Sequence, residues 1–94
     1  MNITYKDIAA LLNKADIEGY IALGAPADEY DSEAEALVLA FGELSEAEIT
    51  VENIAVIVTA AWQQSFDLDG SDIAMRRADI QNFAQAVVTL NAKK

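Results

Sequence analysis

The 94-residue chain contains no cysteine and no histidine. Without a thiol there can be no disulfide, no thiolate nucleophile and no cysteine-type zinc site, and cysteine usage says nothing about redox compartment. Without imidazole the commonest general base is missing, and Ser32, Ser45, Ser65 and Ser71 all fall where caps or turns account for them. Cations are scarce: Lys6, Lys14, Arg76, Arg77, Lys93 and Lys94 stand against 16 acidic residues, a formal charge of −10. Phosphate backbones are held by Lys and Arg, so this balance argues against direct binding of DNA or RNA. An anionic membrane surface would repel such a chain, and a basic protein would be steered toward it. No window supplies the roughly 18 consecutive apolar residues of a membrane span, and the amino terminus lacks the basic start and apolar run of a signal peptide. The expectation is a cytoplasmic protein.

Hydrophobic residues make up 53% of the sequence, well above what a disordered chain carries, so the acidity is compatible with a packed fold. The length suits one domain with one core, spanning residues 1–94. Helical spacing dominates. Tyr5, Ile8, Leu12 and Ala15 fall on one side of a first helix over residues 4–15, with Thr4 as cap and Asp7 at the capping-box position. Residues 16–27 carry Gly19, Gly24 and Pro26, which predict an irregular but packed connection, with Tyr20 and Leu23 plugging the end of the core.

A second helix follows, capped by Asp28 or Asp31, turning Tyr30, Ala34, Leu37, Val38 and Phe41 inward and stopped by Gly42. A helical turn at residues 45–49 leads to Thr50, the cap of a third helix over residues 51–66. That helix is apolar over a wide arc, which predicts a central position and places Trp62 and Phe66 in the core. After a turn at residues 67–70 with Gly70 left-handed, a fourth helix starts at Ser71 or Asp72, turns Ile73, Ile80, Phe83, Ala84, Val87 and Leu90 inward, and frays over residues 91–94. The fold class is all-α: a single four-helix domain with a long ordered connection between helices 1 and 2.

Between Asp28 and Glu52 the chain has nine carboxylates and no Lys or Arg. At the start of this stretch stand Asp28, Glu29, Tyr30, Asp31, Glu33 and Glu35. First-turn acids are stabilised by unpaired amides and the helix dipole, which accounts for one or two of them. The surplus points to contact with a basic protein partner, Tyr30 either packing inward to orient the motif or supplying an amphipathic contact. A divalent cation or small ligand held by the same acids with Asp16 is the alternative, and an oligomerising structural domain a third. No cofactor and no metal ligand set is assigned, and the sequence leaves the oligomeric state open.

Other constellations carry less. Residues 67–72 resemble a calcium loop, but aligning Gly70 with the loop glycine puts Ser65 at the first ligand and Arg76 where a bidentate Glu is needed. Paired acids such as Asp31 and Glu35 lie on an exposed face without the dry, concave setting that acid–base catalysis requires, so no enzyme activity is expected. Isolated Gly24 and Gly42 form no phosphate-cradling loop. One of Arg76 and Arg77 is expected to face the acidic second helix or other carboxylates of the chain.

The string Gly24-Ala25-Pro26-Ala27-Asp28-Glu29-Tyr30-Asp31-Ser32-Glu33, preceded by Asp16, resembles the hallmark region of the YugE-like family of small bacterial proteins of unknown function. The likeness covers about a fifth of the chain, the helical remainder matching in outline. The sequence departs from the family pattern at Ala15, where a tryptophan is frequent, and at Glu18, where a proline is expected. The resemblance implies a small all-helical domain and brings no established activity. Similar Asp-Glu-Tyr-Asp strings occur in small acidic proteins regarded as candidate toxin immunity proteins, so it also implies an immunity-like role.

Overall fold

A computed structural model describes residues 2–94. Four helices follow in order: α1 (Tyr5–Ala15), α2 (Asp31–Phe41), α3 (Val51–Phe66) and α4 (Gly70–Lys93), with a 3-10 turn at Glu46–Glu48 before α3. No strand occurs among the described residues. The radius of gyration, 12.4 Å, is that of one body of this length. The four helices pack as a ring: α1 on α2, α2 on α3, α3 on α4, and α4 back on α1.

Local chemistry sets the boundaries. Thr4 and Asp7 form a reciprocal capping box at α1, the Ser45 amide donates to Glu48 Oε1 at 2.9 Å while the Glu48 amide donates to the Ser45 carbonyl at the 3-10 turn, and Thr50 caps α3 through the Asn53 amide. At α4 the cap is Asp69, paired with Asp72, so the helix begins at Gly70 rather than at Ser71 or Asp72. The left-handed residue of that turn is Asp67, φ 52°, and not Gly70. An aspartate tolerates this region because its short side chain can bond locally. The three residues between α3 and α4 allow only an antiparallel hairpin.

Two expectations about packing are corrected. First, α3 is not central. It packs against α2 and α4, and its third flank faces outward, leaving Val56 68% exposed. Four helices of similar girth satisfy their apolar stripes pairwise in a ring, so a wide apolar arc on one of them ends in solvent. Second, the carboxy-terminal residues do not fray. The Asn91 side chain is buried, its Oδ1 accepts from the Asn2 amide at 2.8 Å, and Lys94 Nζ donates to Asp7 Oδ2 at 2.8 Å. Asn91 hides inside a helical end whose sequence is polar, so propensity alone does not reveal it. Tyr5 also lies at the surface rather than in the core. The core itself is Ile8 and Leu12 of α1, Ile17 and Tyr30 of the connection, Ala34, Leu37 and Phe41 of α2, Ile54, Ala55, Val58 and Trp62 of α3, and Ile73, Ile80, Phe83, Ala84 and Val87 of α4.

Asn91→Ala removes the acceptor of the Asn2 amide and should cost about 1 kcal/mol, lowering the thermal midpoint by roughly 4–8 °C. An unchanged melting curve would mean that this closure contributes nothing.

Candidate functional site

Residues 16–30, between α1 and α2, are organised from Asp16. This residue closes α1 in the left-handed conformation, φ 46°, which turns its carboxylate back under the chain that follows. Oδ1 accepts from the Ile21 amide at 3.0 Å and from the Tyr30 hydroxyl at 2.7 Å; Oδ2 accepts from the Ala22 amide at 2.9 Å. The Tyr30 oxygen in turn accepts from the Glu18 amide at 3.1 Å. Gly19 and Gly24, at φ 73° and 98°, supply two bends that side chains resist. From α1, Asn13 Nδ2 donates to the Ala27 carbonyl at 2.8 Å and fastens the far end of the connection.

Below this loop Glu18 is the second centre. Its side chain is 5% exposed and meets Arg76 of α4 through two parallel contacts, Nη2 to Oε1 at 2.9 Å and Nε to Oε2. Oε2 also accepts from Trp62 Nε1 of α3 at 2.9 Å, and Arg76 Nη1 donates to the Asp72 carbonyl at 2.8 Å. Four rings complete the plug. Tyr20 stacks on Tyr30 at 6.1 Å, Tyr30 lies 6.0 Å from Trp62, Trp62 5.3 Å from Phe66, and Phe66 6.2 Å from Tyr20. Such offset and tilted pairs add to what burial alone supplies.

The electrostatics follow from these contacts. The Arg76 guanidinium, aided by the Trp62 N–H, holds the Glu18 carboxyl below the usual range against the opposing effect of burial. Burial acts most strongly on Asp16 and would raise it, but the Tyr30 hydroxyl and two backbone amides together outweigh it and hold the carboxyl low. Burial, then the Asp16 hydrogen bond, push the Tyr30 phenol up, so it stays a donor at every physiological pH.

The six residues assigned to partner binding therefore divide. Tyr30 is 1% exposed and serves as the inward hinge of the motif, so its role as an amphipathic contact is withdrawn. Glu33 is also buried, and is withdrawn from the binding face. Successive carboxylates two residues apart on a helix point to different sides, and the side opposite Asp31 and Glu35 is the one turned toward the bundle. Burial, then the neighbouring Glu29 charge, raise the Glu33 carboxyl above its ordinary range. Asp28, Glu29 and Glu35 are exposed and Asp31 half-exposed. Asp31 opens α2 at its first position, so neither it nor Asp28 is the cap; that place belongs to Tyr30, whose side chain makes no cap bond.

One residue of this surface escapes the sequence reading. Tyr5, 36% exposed, is within electrostatic reach of these acids: partial desolvation first, then Asp31 by its charge and as a hydrogen-bond acceptor, and last the Glu35 charge raise its phenol. The signal available was its place as the first residue of α1, where an amphipathic helix has not yet turned its apolar face inward. No ion pair among the described residues engages the acids of this surface: the two present join Arg76 to Glu18 and Lys94 to Asp7. Asp16 and the motif acids do not converge as the cation reading requires. Both Asp16 oxygens are taken by the loop, and no three acidic groups among the described residues are placed to share a metal ion. No helix among the described residues is long and apolar enough to cross a membrane.

Removing the Tyr30 hydroxyl in Tyr30→Phe leaves Asp16 and the Glu18 amide each short of a partner, and should cost about 1–3 kcal/mol in urea unfolding. Glu18→Gln, which breaks the charged pair while keeping its shape, should destabilise at neutral pH by roughly 2–4 kcal/mol. Because Glu18 and Asp16 titrate lower in the folded chain, their stabilisation is complete above the ordinary carboxylate range and is lost as pH falls through their depressed values. Glu33 has the opposite sign: its folded value is raised, so ionisation opposes folding as pH rises. Glu33→Gln should therefore raise the thermal midpoint at neutral pH, with the gain vanishing below about pH 4, the ordinary glutamate range. A gain that persists there, or a loss at neutral pH, would contradict this account.

No protein-family model, curated protein or solved structure matches this chain.

Proposed function

We propose that the protein is a non-enzymatic binding module that recognises a basic protein through the acidic surface of Asp28, Glu29, Asp31 and Glu35 beside Tyr5. The observation that carries this reading is the set of exposed Asp28, Glu29 and Glu35 and half-exposed Asp31 at the start of α2, none of which is engaged in an ion pair among the described residues, with the exposed Tyr5 phenol within their electrostatic reach. An incoming arginine can lie on the ring face while its guanidinium engages the carboxylates, a geometry worth more than charge alone. Net charge of −10 adds long-range steering of a cationic partner.

A basic enzyme that acts on nucleic acid is the partner class these features suit best. Its substrate groove is lined by cations, and an ordered row of carboxylates presents the charge pattern of phosphates. An immunity-like role, blocking such an enzyme, is the corresponding biological reading. The buried set of Tyr30, Asp16 and Glu18 contributes by fixing the start of α2, so the acids are held in place before the partner arrives.

Affinity capture from a lysate of the source cell, followed by binding kinetics on the retained protein, tests this reading. The wild type should retain a basic protein that a variant carrying D28N, E29Q, D31N and E35Q loses, with the association rate falling as salt rises. Tyr5→Ala should weaken binding about tenfold, and Tyr5→Phe should leave it near wild type. Retention that is indifferent to all four neutralisations would sink the proposal.

A further inference from the structure

A second surface, on the far side of α3 from the core, is distinguished by what it lacks. From Asn53 to Phe66 this helix carries no charged residue, in a chain with 16 acids. Its outward ridge includes Val56, 68% exposed, and exposed Ala60. A groove lies on each side of that ridge, each of about 490 Å³. The groove shared with α2 is lined by Ala36, Leu37, Ala40, Ile57 and Ala61; the one shared with α4 includes Ala55, Thr59, Ile73 and Ile80. Small side chains at both grooves let another helix approach closely.

Among the described residues the only charged groups lining either groove are Glu52 and Arg77, both on the α4 side and opposite in sign. Because α3 and α4 run antiparallel from a three-residue turn, Arg77 lies level with Thr59, about two helical turns from Glu52. A two-fold axis lying in the contact plane, perpendicular to α3 and passing near Val56, brings the level of Glu52 in each copy to that of Arg77 in the other, on the same side of the ridge. An isologous interface needs this self-complementarity. It also needs a face where two molecules of charge −10 can meet without opposing their acids, and the middle of α3 supplies one.

We infer that α3 is the contact face of a symmetric homodimer, with the two copies of Val56 at its centre and two Glu52–Arg77 pairs along one edge. This dimer leaves the acidic surface around Tyr5 and α2's first turn unused by α3, so each copy keeps it for another partner.

Sedimentation equilibrium of the full chain up to millimolar concentration tests the inference. The wild type should reach a monomer–dimer equilibrium, and Val56→Asp should weaken it at least about tenfold with a near-unchanged circular dichroism melt, since Val56 is 68% exposed and outside the buried core. Glu52→Arg and Arg77→Glu alone should each weaken the dimer, and the double variant, which restores opposite signs across the axis, should recover it. A wild type that is monomeric throughout, a dimer indifferent to Val56→Asp, or a double variant no better than the single ones would overturn it. The last result also separates self-association from docking of an unrelated apolar helix, which has no reason to reward the exchange.

Discussion

The carboxylate of Glu18 is the interaction on which the rest of this fold depends. A charge this far out of water is costly unless its oxygens are fully engaged. Here they are: Arg76 approaches with two donors and Trp62 with a third. One acid in an irregular segment thereby joins α3 to α4 and to the connection itself. Arginine suits the place because its planar fork meets both oxygens at once, which a lysine cannot do. The tryptophan brings area as well as a donor, so its ring seals the site that its N–H satisfies.

From this follows the order of the connection. Fifteen residues without helix would ordinarily be a mobile stretch. Here Asp16 gathers two amides and a phenol, Glu18 anchors the loop below, and Asn13 fastens it from α1. The hydroxyl of Tyr30 belongs to both centres, since it donates to one aspartate while accepting the amide of the glutamate. The start of α2 is consequently fixed by contacts to the core rather than by an N-cap side chain, and its exposed acids are left unengaged.

Much of this was legible in the sequence, and the unreadable remainder has a common cause. Capping chemistry is local, so Thr4 with Asp7, Thr50 and the 3-10 turn at Glu46 could be read from spacing alone. The bounds of α3 were also legible: β-branched Ile54 to Val58 left a strand open, but the length of the apolar period between Thr50 and Asp67 favoured the helix that forms. What failed required knowing which elements meet. The apolar breadth of α3 promised centrality, but a ring of four leaves each helix two neighbours. Glu18 looked like a departure from a proline pattern, and only its distance of 58 residues from Arg76 in the chain explains why pairing them was out of reach. The candidate site was half legible: Asp31 and Glu35 are exposed to some degree as their helical phase implies and Asp28 and Glu29 because they lie in the turn before α2, while Tyr30 and Glu33 turn inward and Tyr5 joins from another helix.

The bond from the Asn2 amide to Asn91, with Lys94 reaching Asp7, brings the first and last described residues side by side. Residues 2–94 thus form nearly a closed circuit whose seam lies at the junction of α1 and α4. A short bridge across that seam would join the ends without bending either helix, and the circuit could then be opened elsewhere, as at the exposed turn around Glu46, with the same four-helix ring retained. The same proximity means that the whole domain can be lodged within a surface loop of another protein, entering and leaving through one narrow neck.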